Sequence, residues 1–214
     1  MADDIKRMKL YQHVDRVERA LADRGLAPPA PLRPEQIEDL DHLHYEGRDA
    51  VDDAAERLAL TREHRVLDVG SGLGGPARRL ATVPGCRVVA LELQRDLHEC
   101  AAGLTSRCGL DDRIRHINGD ILDADAVDGP FDALVSWLVF LHIPDRSALL
   151  HRCRALLKAG GGLHAEDFFL RRALHDDEKT LLREEVQCAH LVDRETYIAE
   201  LESAGFADVR FDDC

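Results

Sequence analysis

From residue 65 onward, short apolar runs alternate with amphipathic stretches, and this alternation narrows the folds open to the chain more than any other property. "RVLDVG" is a nearly continuous apolar strand, "GPARRLATV" a helix, "RVVALEL" a strand and "QRDLHECAAGLTSRCG" a helix. "IRHINGD" is a strand, "FDALVSWLVF" begins as one, and "DRSALLHRCRALLKAG" is a helix ending at glycine. "GGLHAEDFF" is a fifth strand, "TLLREEVQCAHL" and "ETYIAELESAGF" are helices, and "DVRFDD" is a sixth strand. Strands alternating with helices imply βαβ units and a parallel, doubly wound α/β sheet. Its crossovers are right-handed, with helices on both faces.

The region before residue 60 has a different pattern. Residues 5–24 carry Ile5, Met8, Leu10, Val14, Val17 and Leu21 at helical spacing, so they predict an amphipathic helix. "GLAPPAPLRP" breaks it, because proline lacks the N–H and restricts its predecessor. A second helical region runs from Pro34 toward Leu60, interrupted near Gly47. The chain thus divides into N-terminal helices and a lid, residues 1–60, and a sheet domain, residues 61–214. At 214 residues with 45% apolar side chains there is enough material for one real core. The net charge of −13 argues against nucleic acid and against an anionic membrane surface. No apolar run approaches membrane-spanning length, and "MADDIKRMKL" lacks the apolar core of a secretory signal. The 6 cysteines have no CxxC spacing and are expected to be reduced thiols. The expectation is a cytoplasmic protein, a monomer or weak homodimer, whose partner is a small molecule.

The stretch "VLDVGSGLGG" carries the chemistry. Gly70-x-Gly72-x-x-Gly75 follows the first strand and opens a helix. Glycine permits the tight turn and close ligand approach, and the helix start offers free N–H groups. Alone, this fits a dinucleotide or another adenosine-bearing cofactor. Three acids separate the two. Asp68 lies just before the turn, where it would repel a pyrophosphate and attract an ammonium. Glu92 ends the second strand, about twenty residues on, where an acid accepts from both ribose hydroxyls. Asp120 follows the third strand, where a carboxylate can accept from an adenine amine. This order suits S-adenosylmethionine better than NAD. His42 and His44 sit at i and i+2, which point apart on a helix, so no metal site is expected.

These residues reach a resemblance. "VLDVGSGLGGPARRLA" resembles motif I of class I S-adenosylmethionine-dependent methyltransferases, and "ALEL" and "NGDIL" resemble their second and third motifs, over roughly residues 60–170. "DLDHLHYEG" resembles the segment in which glycine/sarcosine/dimethylglycine and phosphoethanolamine N-methyltransferases carry a tyrosine over the cofactor. "SWLVFLHIPDR" and "GGGLHAEDFF" are similar to the sarcosine/dimethylglycine enzymes, which form glycine betaine. The resemblance implies a mostly parallel Rossmann-like sheet with an N-terminal helical lid. A sheet of this class ends in a hairpin pair, whereas six strands are counted here, so the last strand is absent, truncated or supplied by a partner.

By the resemblance, Asp68, Gly70, Ser71 and Gly72 line the methionine and ribose side. Glu92 and Leu93 hold the ribose, and Asp120 and Ile121 the adenine. Tyr45, Trp137 and His142 face the methyl group, with His142 and Tyr45 as candidate general bases. An amino-acid acceptor such as sarcosine or dimethylglycine also needs a cation for its carboxylate; Arg172, beside Arg171, follows the fifth strand, and Arg48 is a rival. The alternatives are a phosphobase or natural-product hydroxyl as acceptor, or a cofactor-binding protein without turnover.

Calorimetry checks the cofactor reading. S-adenosylhomocysteine binds and NAD does not, and Glu92→Ala weakens binding by roughly 1.5–3 kcal/mol, the usual scale for hydrogen bonds to a charged group.

Overall fold

The computed structural model describes residues 14–213. In chain order its elements are α1 (Arg16–Asp23), a 3₁₀ turn (Pro34–Gln36), α2 (Glu38–Asp41), α3 (Arg48–Arg57), β1 (Arg65–Val69), α4 (Gly75–Thr82), β2 (Arg87–Glu92), α5 (Arg95–Arg107), β3 (Ile114–Asn118), β4 (Phe131–Trp137), a second 3₁₀ turn (Phe140–His142), α6 (Arg146–Leu156), β5 (Leu157–Glu166), α7 (Asp176–Glu185) and α8 (Arg194–Ser203). The strands form a five-stranded sheet in the order β3-β2-β1-β4-β5, every pair parallel. This is the mostly parallel Rossmann-like sheet that the alternation predicts.

Side-chain alternation along the strands builds two cores. Leu67, Val69, Val89, Leu91 and Leu134 pack with Leu149, Leu150, Cys153 and Leu156 of α6. Their neighbours Val66, Val88, Ala90, Ala133 and Val135 pack on the other face, against Ala77, Leu80 and Ala81 of α4 and Val51 and Ala54 of α3. Both faces are covered, so the strands read as continuous apolar runs.

A third cluster brings the N-terminal segment onto the sheet domain. Val17 and Leu21 of α1, with Leu32 and Ile37, pack on Leu73, Leu97 and Leu104. A buried ion pair fixes the same contact. Arg78 of α4 is 1% exposed and donates from Nη2 to Asp41 Oδ2 at 2.8 Å and from Nη1 to Thr105 Oγ1 at 3.0 Å. Thr105 Oγ1 in turn meets His116 Nε2 at 2.8 Å. One guanidinium fork therefore ties α2, α4 and α5 together.

Several boundaries differ from the sequence expectation. Part of the first expected helix, residues 5–13, lies outside the described residues. The helical region from Pro34 toward Leu60 is three pieces, because Glu46 and Gly47 adopt positive φ (56° and 52°) and turn the chain. α7 starts at Asp176 and ends by Glu185, and Gln187 (φ 53°) redirects the chain before the expected helix end. β5 starts at Leu157, inside the stretch expected to be helical.

The largest difference is at the C-terminal side. "DVRFDD" forms no strand. Asp208 turns the chain with φ 55°, and the segment is then held by side chains rather than by a ladder. Phe211 packs edge-on against Phe169 at 4.9 Å, Asp212 pairs with Arg57 and Asp213 with Arg171. The five described cysteines are free thiols; Cys214 lies outside the described residues.

Removing one partner of a buried ion pair strands the other charge, so Asp41→Ala lowers unfolding free energy by about 3–5 kcal/mol in urea denaturation. Combining Asp41→Leu with Arg78→Met recovers most of that loss, because neither charge is then left buried.

Candidate active site

A cleft opens at the carboxyl ends of β1 and β4. β1 has β2 on one side and β4 on the other, so the connections leaving β1 and β4 run apart and leave a crevice between them. The cleft encloses about 880 Å³, its open mouth included. That is room for a nucleoside-sized ligand with a small second molecule.

The glycine turn forms its floor. Gly70 and Gly72 adopt φ of +71° and +52°, where a side chain is strained. Space is as restrictive as angle. A Cβ on Gly70 would lie 2.4 Å from Val139 Cγ2, and one on Gly75 would lie 2.7 Å from the Asp41 carbonyl oxygen. The turn is thus pressed by the segment after β4 on one side and by α2 on the other.

Several buried polar atoms around this floor have no hydrogen-bond partner among the described residues: both carboxylate oxygens of Asp68, Ser71 Oγ, Gln94 Oε1 and Trp137 Nε1. All four residues line the cleft. Buried polar atoms are ordinarily bonded, so this concentration marks a surface made to be completed by a ligand. Asp68 is 1% exposed, and burial, then the charge of Glu92, pushes its carboxyl up to about 8. Glu92 is placed firmly: Oε2 accepts from Gly72 N and Oε1 from Gln94 N, both at 2.8 Å. Asp120 is half-buried, with Oδ1 accepting from Leu122 N at 2.9 Å, and Ile121 and Leu93 line the same wall. The donor set fits S-adenosylmethionine. Asp68 suits an ammonium and Glu92 and Asp120 suit hydroxyl and amine donors, whereas a pyrophosphate would meet acids.

The opposite end of the cleft is aromatic and apolar. Trp137, Val139, His142 and Ile143 follow β4, and His44 closes over them from the N-terminal segment. His44 stacks on Trp137 at 5.4 Å between ring centroids. Its Nδ1 faces the Tyr45 carbonyl oxygen at 3.0 Å and must therefore donate, and its Nε2 meets His42 Nδ1 at 3.1 Å. Burial pushes both imidazoles down to about 4, so they are neutral near pH 7. His42 and His44 meet, contrary to the expectation that they point apart, because the helix ends at Asp41.

His142 is 7% exposed, and its Nδ1 lies 3.1 Å from the Gln187 carbonyl oxygen. That bond makes Nδ1 the donor of the neutral ring and Nε2 its basic nitrogen. Burial lowers its proton affinity as well. A buried network holds its turn in place. Asp167 accepts from Leu141 N at 3.0 Å and from Arg146 and Tyr197 at 2.9 Å each. Ala189 N donates to the Leu141 carbonyl at 2.7 Å.

Not every expected residue reaches the cleft. Tyr45 is 64% exposed and does not line it; its neighbour His44 does, since adjacent side chains on this turn point apart. Arg172 sits at the surface paired with Glu178, Arg171 pairs with Asp213, and Arg48 with Glu38. Asp41, His44 and Gln94 are cleft residues that sequence reasoning passed over. For His44 no local signal was available, because its direction depends on the helix ending at Asp41.

Trp137 is the chain's 1 tryptophan and lies in the cleft, so its fluorescence reports occupancy. Titration with S-adenosylhomocysteine changes its emission saturably, and Gly70→Ala, which drives a methyl into Val139, abolishes the change.

Comparison with known proteins agrees with this geometry. A methyltransferase-domain profile matches residues 66–161. The chain is 31% identical over 153 residues to the sarcosine/dimethylglycine N-methyltransferase of Halorhodospira halochloris, covering 69% of this chain and 53% of that protein. It is 33% identical over 125 residues to the sterol 24-C-methyltransferase of Eremothecium gossypii, covering 56% and 30%. The chain spans about half the length, or less, of these curated relatives. The structure superimposes on phosphoethanolamine N-methyltransferase 2 of Haemonchus contortus, solved with phosphomonomethylethanolamine and S-adenosylhomocysteine, with a TM-score of 0.77 at 22% identity, over 97% of this chain and 44% of that one. With the parallel sheet, the glycine turn and the acid-lined cleft, these likenesses support a class I S-adenosylmethionine-dependent methyltransferase domain.

Proposed function

We propose that this chain transfers a methyl group from S-adenosylmethionine to the nitrogen of a small amine, with sarcosine and dimethylglycine as the best candidates. The observation that carries the reading is the juxtaposition in one cleft of a buried Asp68 carboxyl, without a hydrogen-bond partner among the described residues, and a buried neutral His142. Similarity to a sarcosine/dimethylglycine N-methyltransferase supports the choice of amine.

S-adenosylmethionine supplies a methyl already made electrophilic by its sulfonium. The chain has three tasks. Asp68 accepts the ammonium, Glu92 the ribose hydroxyls, and Asp120 the adenine amine, and the glycine turn lets the backbone approach. Trp137 and His44 form a wall that excludes water and aligns the acceptor, and such positioning is worth up to about 7–11 kcal/mol in favourable cases. His142 Nε2 receives the proton that a secondary amine such as sarcosine loses on methylation, whereas dimethylglycine, a tertiary amine, has none to give up. Burial keeps His142 neutral near pH 7, the form a base requires. Residues 34–47 act as the lid, anchored by the Arg78–Asp41 pair.

A hydroxyl acceptor is the second reading. It is favoured by the commitment of Arg172, Arg171 and Arg48 to carboxylates outside the cleft, which leaves a carboxylate-bearing acceptor without those three partners.

Methyl-labelled S-adenosylmethionine, incubated with a panel of small amines, phosphobases, alcohols and thiols, decides between the two. Label moves to sarcosine or dimethylglycine on the first reading and to an alcohol on the second; label on no acceptor defeats both. With sarcosine as acceptor, His142→Ala lowers kcat by about 10²–10⁴ and leaves S-adenosylhomocysteine affinity unchanged, which separates a base from a structural histidine.

A further inference from the structure

Two carboxylates of the cleft, on neighbouring strands, are treated unequally. Glu92, at the end of β2, accepts two backbone N–H groups. Asp68, in β1, accepts none from the described residues, and both its oxygens are buried. An anion at Asp68 is therefore desolvated, unbonded and repelled by Glu92. The cation acting on it, Arg78 of α4, is already bound to Asp41, Thr105 and the Leu73 carbonyl. The other titratable groups lining the cleft are Asp41, His44, Asp120 and His142, which add acids and neutral imidazoles rather than a compensating charge. Paired acids in such contrasting surroundings divide their protons unequally.

We propose that Asp68 carries a proton in the ligand-free cleft and surrenders it when an amino-acid ammonium docks, so that binding of an α-amino ligand releases a proton. The inference rests on the S-adenosylmethionine reading of the cleft. The carboxyl O–H bond breaks, the proton passes to solvent, and the carboxylate accepts an N–H from the ammonium in its place. An ion pair replaces a neutral acid, and no net charge is buried. The position of Asp68 near 8 places this exchange within the neutral range. Binding coupled to the loss of one proton strengthens about tenfold per pH unit below that point. Above it the gain stops, because Asp68 is then already ionised in the free cleft and has no proton to release.

The test is calorimetry at pH 6.5 in two buffers of low and high ionisation enthalpy, whose difference in observed heat counts protons. Two ligands are compared on the unaltered protein. S-adenosylhomocysteine carries the ammonium; 5′-methylthioadenosine has the nucleoside without the amino acid. The expected result is about one proton released per S-adenosylhomocysteine and none per methylthioadenosine, with S-adenosylhomocysteine affinity rising about tenfold per unit from pH 5 to 7. Asp68→Asn binds S-adenosylhomocysteine without proton release and with a flat profile over that range. Binding of S-adenosylhomocysteine without release, or equal release with both ligands, overturns the exchange while leaving the cofactor reading intact. Failure of S-adenosylhomocysteine to bind overturns the cofactor reading, and the exchange with it.

Discussion

The placement of β1 between β2 and β4 is the constraint on which the cleft depends. In a parallel sheet each strand must be followed by a crossover, and the crossovers here leave the sheet in opposite directions on either side of β1 and β4. The gap between them is where the glycine turn that leads into α4 lies. Val139, arriving from β4, and Asp41, arriving from α2, then press on the turn so closely that glycine is required at residues 70 and 75. Ligand access and close packing thus demand the same residue type at the same turn.

Arg78 extends this arrangement to the N-terminal segment. Its fork reaches from the helix behind the glycine turn to Asp41 of α2 and Thr105 of α5. A buried ion pair is weak evidence of stability, since desolvation offsets most of its attraction, but it is demanding about geometry. Here it fixes where α2 ends, and so where His42 and His44 stand relative to Trp137. The N-terminal segment is thus held beside the cleft by the helix that begins at the glycine turn, together with the apolar contacts of Leu32 and Ile37.

The cleft has two electrostatic characters. One end collects Asp68, Glu92 and Asp120, which suits a ligand rich in N–H and O–H donors. Its other end is lined by Trp137, Val139 and histidines kept neutral by burial. A neutral wall does not repel an electron-deficient methyl, and a neutral His142 is already in the form that can accept a proton. The division follows from position. The acids sit where strands end beside the glycine turn, and the rings sit where the β4 segment meets the N-terminal segment.

The sequence by itself determined the sheet, the glycine turn and the acids Asp68, Glu92 and Asp120, because these depend on local pattern. Apolar runs alternate with amphipathic ones, glycine permits positive φ, and strand ends recur at fixed spacing. Tertiary structure alone decided which lid residue entered the cleft. Tyr45 and His44 are adjacent, and only the end of α2 at Asp41, set by an ion pair to a residue 37 positions away, turned His44 inward and left Tyr45 exposed. Arg172 was legible as a cation at the right edge of the sheet, but its pairing with Glu178 depends on where α7 begins. The segment "DVRFDD" carried strand-like alternation, yet Asp208 and the aromatic contacts of Phe211 took it elsewhere. Periodicity fixes which face a residue presents within its own element. Contacts between distant elements fix what that face meets, and the proton balance of Asp68 belongs to the second kind, since it arises from burial beside Glu92 rather than from any neighbour in sequence.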